Sequence, residues 1–154
     1  DLGYVVIHIG ASDPKRKWPI KCWVKLVKLL SVNLSINIVK TVESEVLIKR
    51  LNDEGLHPNY FEGNLVELTN WLKNQKCLIA PDSMAGHLAA HIGIPVVSIF
   101  GSQPKNLTRP LGKSCVVVSP DTLCNHRPSH WRLCPKCIGS VNPNKVELAV
   151  YSVI

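Results

Sequence analysis

Apolar and polar positions come in blocks along this chain, and the blocks have two different periods. Tyr4-Val5-Val6-Ile7-His8-Ile9 is a short β-rich run that stops at Gly10 and predicts a buried strand. A polar loop over 11–17 follows. Pro19 stands where a first helical residue is tolerated, because the N–H it lacks would be unpaired there anyway. Ile20, Trp23, Val24, Val27 and Leu30 then recur at helical spacing, with Lys21, Lys25 and Lys28 on the opposite, wet face.

The strand–loop–helix unit repeats. Residues 36–39 form an apolar strand, and Ser44 is placed to cap a helix carrying Leu47, Ile48 and Leu51 that Gly55 ends. Asn64 with Glu67 three residues on has the form of a capping box, ahead of Leu65, Leu68 and Leu72 on one helix face. Cys77-Leu78-Ile79-Ala80 is the next strand. Asp82 and Ser83 are placed to cap a helix with Met84, Leu88 and Ile92 on one side, closed by Gly93. Residues 95–100 and 115–118 are further strands. Asn142-Pro143 opens a last helix with Val146, Val150 and Val153 aligned.

Strands alternating with helices predict parallel pairing with helices on both faces. Runs such as Val5-Val6-Ile7 and Val96-Val97-Ser98-Ile99 are apolar on nearly every residue, as a sheet covered on both faces requires. The expected architecture is α/β: a doubly wound, mostly parallel, Rossmann-like sheet. At 154 residues with 45% apolar content, the chain suits a single domain over 1–154 with a sizeable core, and general disorder is excluded. No run approaches the ~18 apolar residues of a membrane span, and no secretory signal opens the sequence.

Charge sharpens the picture. The formal net charge is +7, and residues 13–28 alone carry a net +5 through Lys15, Arg16, Lys17, Lys21, Lys25 and Lys28 against Asp13. Such a cluster favours an anionic partner: a phosphorylated ligand, an acidic membrane surface or nucleic acid. Aromatic residues make up 6% and do not interleave with the cations, which disfavours a nucleic-acid stacking platform. The helix face bearing Lys21, Lys25 and Lys28 reads first as solvated, with peripheral contact to anionic lipid as the lesser reading.

Ligands of doubly wound sheets bind beyond the carboxyl ends of the strands, here at 10–17, 42–45, 81–87 and 101–103. The first segment lacks GxGxxG, which disfavours a nicotinamide dehydrogenase. Backbone N–H groups, Ser12 and one of three cations there suit a phosphate, or form a merely solvated basic loop. In Ala80-Pro81-Asp82-Ser83-Met84-Ala85-Gly86-His87 a strand ends and a helix begins. The free N–H groups of that helix start suit a diphosphate, Ala85 and Gly86 admit close approach, and His87 lies one turn in. The competing reading makes Asp82 or Ser83 only a cap and His87 only a packed ring.

Taken in order, Ile7-His8-Ile9-Gly10-Ala11-Ser12, Lys15-Arg16-Lys17-Trp18-Pro19, Asp82-Ser83 with His87-Leu88-Ala89-Ala90, Gly93-Ile94-Pro95-Val96-Val97 and Phe100-Gly101 resemble the C-terminal half of glycosyltransferase family 9. That family comprises the ADP-heptose heptosyltransferases of lipopolysaccharide core synthesis. The resemblance runs from residue 5 to about 150. It implies one half of a GT-B enzyme that holds an ADP-sugar donor and works with an N-terminal half outside this sequence.

By position, the resemblance puts Ser12 and Arg16 on the donor phosphates, with Lys15 or Lys17 as substitutes, and Glu45 on the ribose. The backbone of 61–63, including Gly63, would line the base. Asp82, Ser83, Met84, Ala85, Gly86 and His87 would surround the diphosphate and sugar, with Gly101 shaping the cleft floor. Met84 departs from the glycine the family commonly has after its Asp-Ser/Thr pair. The resemblance further implies an inverting transfer to a lipid-linked or glycan hydroxyl, needing no metal, with the catalytic base in the other half. This chain alone would then bind donor without transferring sugar. The expected location is cytoplasmic, on or near the inner face of the inner membrane. A non-catalytic nucleotide-sugar module and a metal-organised interaction domain are the alternatives.

The last of these rests on the cysteines. Cys22, Cys77 and Cys115 read as buried thiols at irregular spacing. Cys124, His126, His130, Cys134 and Cys137 put five soft or borderline ligands into 14 residues, and Cys134-Pro135-Lys136-Cys137 is a chelating CxxC. Zinc or iron would be the candidate ions, in a structural site that pins a long loop. The plainer reading is a loop of free thiols.

Overall fold

The computed structural model describes residues 3–102, 109–112, 114–122, 124, 134 and 136–154. Among these, six strands run in one sheet: β1 (Val5–Ile7), β2 (Ile36–Val39), β3 (Asn59–Phe61), β4 (Cys77–Pro81), β5 (Val96–Ile99) and β6 (Cys115–Val118). Five α-helices alternate with them: α1 (Ile20–Leu30), α2 (Ser44–Asp53), α3 (Leu65–Leu72), α4 (Met84–Ile92) and α5 (Pro143–Val153). The strand order is β3-β2-β1-β4-β5-β6, and every pairing is parallel. The sheet is therefore wholly parallel, and the order reverses between β1 and β4. At such a switch point the loops leaving neighbouring strands diverge to opposite faces and leave a crevice at the strand tips.

The strand period of two sorts the core into two layers. Val5, Ile7, Ile36, Ile38, Ile79, Val97 and Ile99 face α1, α2 and α5, where Trp23, Leu47, Leu51, Val146 and Val150 are buried. Val6, Val39, Leu78, Ala80 and Val96 face α3 and α4, meeting Leu68, Leu72, Ala85 and Ala89. A fully buried leucine such as Leu47 or Leu51 contributes about 1.5–3 kcal/mol through removal of its surface from water.

Local chemistry sets the helix ends. Asn64 and Glu67 form the reciprocal capping box, each side chain accepting from the other's backbone N–H at 2.9 Å. Gly93 closes α4 at φ +92°, a left-handed conformation that a Cβ would strain. Pro19 sits one residue earlier than expected, as the N-cap of α1, where its carbonyl accepts from the N–H groups of Cys22 and Trp23. Ser44 lies just inside α2. Its hydroxyl accepts from Thr41 N–H at 2.8 Å and donates to the Thr41 carbonyl at 2.9 Å, tying down the turn after β2.

One anchor positions the loop after β1. Trp18 is 2% exposed and packs edge-on against Trp23, ring centres 4.9 Å apart. Its indole Nε1–H donates to the Val141 carbonyl at 3.3 Å, just ahead of α5. The segment between β1 and α1 is thus held at one end by the strand and at the other by a buried indole. Its middle, a 3-10 turn over Pro14–Arg16, is left standing at the strand tips.

Candidate functional site

The loops leaving β1, β2 and β4 border a cleft of about 360 Å³, lined by His8, Gly10, Ala11, Ser12, Thr41, Glu43, Leu65, Leu68, Ser83, Met84, Ala85 and Leu88. It lies at the switch point between β1 and β4, and its volume is within the range of small-molecule and cofactor sites. One wall is apolar, from α3 and α4. The other carries the polar groups of the β1 and β2 loops.

Two residues of the lining, His8 and Ser83, carry a buried polar atom without a hydrogen-bond partner (Nδ1 and Oγ), and so do Arg16 (Nε) and Asp82 (Oδ2), the latter next to Ser83 in the chain. Among the described residues only Asn37 Oδ1, inside β2, shares that condition. Orphaned buried polar atoms are rare in folded proteins because each forfeits its hydration, so a cluster of them marks a place built for something else. Arg16 Nη1 lies 3.6 Å from Asp82 Oδ2, near enough for charge pairing but beyond hydrogen-bond reach. Ser83 is the N-cap of α4 and makes no capping bond with its side chain. Neither half of the Asp82-Ser83 pair is therefore occupied in capping, and Met84 and Ala85 present the start of α4 to the cleft. A helix N-terminus in this state favours an anion through its free N–H groups and partial positive charge.

Glu43 closes the opposite side. Its carboxylate accepts from Ala11 N–H at 3.3 Å and lies 3.7 Å from Lys17 Nζ. A Cβ at Gly10 would come within 3.0 Å of Glu43 Oε2, so Gly10 is what lets the carboxylate lie against the β1 loop. Burial holds the His8 imidazole below its ordinary range. The Glu43 carboxylate and a backbone hydrogen bond oppose the shift without cancelling it.

The expected site residues fall into three groups. Ser12, Ser83, Met84 and Ala85 line the cleft, Lys17 meets its lining residue Glu43, and Arg16 and Asp82 pair with each other outside the lining, Asp82 directly before Ser83. Lys15 is exposed on the 3-10 turn, and His87 is exposed one turn into α4. Glu45, Gly63, Gly86 and Gly101 lie outside the lining, each for a visible reason. Glu45 is exposed in the first turn of α2, and the carboxylate at the tip of β2 is Glu43 instead. Gly63 is exposed and faces Phe61 and Glu67. Gly86 is buried against Pro110, which a Cβ would approach to 3.3 Å, so its small size serves packing. At Gly101 a Cβ would meet Ile138 at 3.0 Å.

His8 and Glu43 were legible only as members of their segments. Their signal is position: His8 directly follows β1, and Glu43 is the last residue before α2.

The cysteine segment converges in part. The Sγ atoms of Cys124, Cys134 and Cys137 lie within 4.8 Å of one another, while His126 and His130 fall outside the described residues. Burial works to raise the Cys134 pKa. Hydrogen bonds from the Lys136 and Cys137 backbone and from the other two thiols outweigh it and bring the value to about 6. Burial, together with the neighbouring Cys124 and Cys134, pushes Cys137 up to about 12.

A wholly parallel sheet of order 3-2-1-4-5-6, with an anion-favouring helix start at its switch point, defines a Rossmann-like, doubly wound α/β class. The family model described as glycosyltransferase family 9 (heptosyltransferase) matches residues 1–135, and the chain belongs to that family. No curated protein matches it.

Among solved structures, E. coli ADP-heptose lipopolysaccharide heptosyltransferase II superposes with a TM-score of 0.79 at 18% identity, covering 98% of this chain and 46% of that one. E. coli heptosyltransferase WaaC with ADP gives 0.79 at 18%, covering 100% and 45%. The iron-containing dodecameric glycosyltransferase TibC from enterotoxigenic E. coli gives 0.70 at 16%, covering 99% and 45%. The fold is thus one half of a GT-B glycosyltransferase, and the chain spans less than half the length of these three structures. No helix among the described residues is long and apolar enough to cross a membrane.

Proposed function

We propose that these residues form the donor-binding half of a glycosyltransferase, and that the donor is an ADP-sugar, foremost ADP-heptose. The observation that carries this reading is the set of orphaned atoms on Arg16, Asp82, Ser83 and His8 around the exposed start of α4. In this reading the α4 N–H groups, Ser12, Ser83 and Arg16 grip the diphosphate. Glu43, at the tip of β2, takes the ribose hydroxyls in place of Glu45. The apolar wall of Leu65, Leu68 and Leu88 is the surface on which a base can lie. The ADP of the WaaC structure supports that choice of nucleotide.

Asp82 has a specific part. A carboxylate beside a phosphate repels it, yet here its charge is offset by Arg16. Its Oδ2, charge-paired with Arg16 but without a hydrogen bond, is suited to accept from a sugar hydroxyl, which distinguishes ADP-sugar from ADP.

The chemistry follows from electrostatics. As the bond from the anomeric carbon to the diphosphate breaks, negative charge grows on the leaving oxygen. A cation and fixed N–H dipoles aimed at it lower the barrier, and no divalent metal is required for that step. An acceptor hydroxyl of a lipopolysaccharide core or related lipid-linked glycan, deprotonated by a base of the other half, attacks the opposite face and inverts the configuration. The residues of this chain hold the donor and stabilise the leaving group; alone they do not transfer sugar. The activity belongs at the cytoplasmic face of the inner membrane, where such acceptors are built.

A mass-spectrometric assay of the intact protein with ADP-heptose, without added divalent cation, tests the reading. Heptose is expected on a lipopolysaccharide-core acceptor, with ADP released. Failure with ADP-heptose but turnover of another nucleotide sugar would replace the donor and keep the site.

A further inference from the structure

His8 is a titratable residue of the cleft lining with no part in gripping the diphosphate. On the footing that the cleft holds a nucleoside diphosphate, we propose that His8 determines specificity for the sugar of the nucleoside. Its imidazole Nδ1–H donates to a ribose hydroxyl whose own proton goes to the Glu43 carboxylate, so that the cleft selects a ribonucleotide over its deoxy form.

The ring stands on a rigid support. His8 directly follows β1, which lies between β2 and β4, and its backbone N–H still donates to the Ile79 carbonyl of β4 at 3.0 Å. Strand alternation puts its side chain on the same face as Val6, toward α3 and α4. There it shares the cleft with Leu65, Leu68 and Leu88. Its Nδ1 is buried and makes no hydrogen bond, although it belongs to a residue fixed by the sheet. A bound group that supplies the missing partner removes that defect.

The neighbours say which group that is. A Cβ at Gly10 would stand 3.2 Å from His8 Cε1 and 3.0 and 3.2 Å from the two Glu43 carboxylate oxygens, so ring and carboxylate border the same point beside the β1 loop. A phosphate is repelled by that carboxylate and finds cations and free N–H groups elsewhere, at Arg16 and the start of α4. A hydroxyl suits both groups at once, since it donates to the carboxylate and keeps lone pairs that accept from an N–H. Burial holds the imidazole pKa below 6.5 against the pull of Glu43, so the ring is uncharged at neutral pH. An uncharged ring adds no attraction for phosphate and offers one N–H for a neutral hydrogen bond. A site built this way rejects the analogue without the hydroxyl, because its buried polar groups are then left unpaired.

The test is competitive binding of ADP, 2′-deoxy-ADP and 3′-deoxy-ADP to the intact protein and to its His8→Phe and His8→Asn variants. The unaltered protein is expected to prefer ADP to each deoxy analogue by about tenfold. His8→Phe keeps the bulk of the ring without its nitrogens. In that variant the preference over one analogue is expected to fall by about threefold or more, while the preference over the other is kept. His8→Asn carries its amide close to the place of Nδ1 and is expected to retain most of the preference. Both preferences intact in a folded His8→Phe protein would overturn the proposal, and weaker ADP binding in that case would move His8 to the base. Should His8→Phe fail to fold, the nitrogen-15 shift of His8 Nδ1 in the unaltered protein decides. It is expected to move with ADP and to stay with one of the two analogues, and equal movement with all three nucleotides would overturn the proposal. An unaltered protein that binds none of the three sinks the nucleotide site and the role of His8 together, whereas ADP binding with ratios untouched by His8→Phe sinks the role of His8 alone.

Discussion

Arg16 Nη1 lies 3.6 Å from Asp82 Oδ2, so the loop after β1 and the tip of β4 are joined by charge across the point where the strand order reverses. The side chain of Asp82 is 5% exposed and that of Arg16 30%, and each keeps one buried polar atom, Oδ2 and Nε, without a hydrogen bond. The pair holds two opposite charges together without satisfying them. That arrangement suits a ligand bearing both an anion for the guanidinium and a hydroxyl for the carboxylate.

Truncating the cation separates the two parts. Arg16→Ala is expected to weaken ADP binding by about 1–3 kcal/mol, or roughly 5- to 150-fold, the range for a lost charge-assisted bond. It also strands the Asp82 carboxylate, so thermal stability falls in the same variant. Titration calorimetry and a melting curve on one preparation check both. Unchanged ADP affinity would remove Arg16 from the site.

Asp82→Asn acts in the other direction. It removes a negative charge from beside the diphosphate, so ADP is expected to bind as tightly as before or tighter. The advantage of ADP-sugar over ADP is expected to shrink, because the amide is a weaker acceptor than the carboxylate. Competition of the two ligands against the same variant reads out the ratio.

Glu43 and Glu45 are two residues apart and differ in kind. Glu43→Gln is expected to weaken ADP several-fold and leave pyrophosphate binding little changed, whereas Glu45→Gln leaves both unchanged. An effect at Glu45 alone would restore the positional expectation.

The pH response follows from His8. Its folded-state pKa lies below the ordinary 6.5, with burial as the main cause. The unfolded chain therefore takes up the proton first. The His8 contribution is fully present above the unfolded value and is lost as pH falls from there toward the folded one. The melting temperature is expected to decline between about pH 7 and pH 5, and His8→Gln is expected to flatten that decline. Equal slopes for the two proteins would assign the acid response to other groups.

Much of this architecture is legible in the residues, and the exceptions have physical causes. Among the described residues, five of the six strands and all five α-helices stand out because both faces of the sheet are covered and the helices are amphipathic. Strand β3 does not, because Asn59 and Tyr60 are exposed at the sheet edge and carry no apolar alternation. At the site, Ser12, Ser83, Met84 and Ala85 follow from the rule that ligands sit at strand tips. Glu43 is displaced from the expected Glu45 because α2 begins at Ser44, which turns Glu45 out to solvent on the first helical turn. The orphaned condition of Asp82 and Ser83 is beyond sequence reading. Both are good capping residues, yet in the fold neither caps α4 with its side chain. Gly86 and Gly101 illustrate the same limit, since a glycine that admits a ligand and one that admits Pro110 or Ile138 are spelled alike.

Everything in the functional account turns on a diphosphate gripped at the start of α4. Titration calorimetry of ADP and AMP into the protein is the measurement that addresses it. One-to-one binding of ADP is expected, about tenfold or more tighter than AMP, and weakening as salt is added. Equal affinity for the two, or no heat from any nucleoside diphosphate at millimolar concentration, would contradict the account.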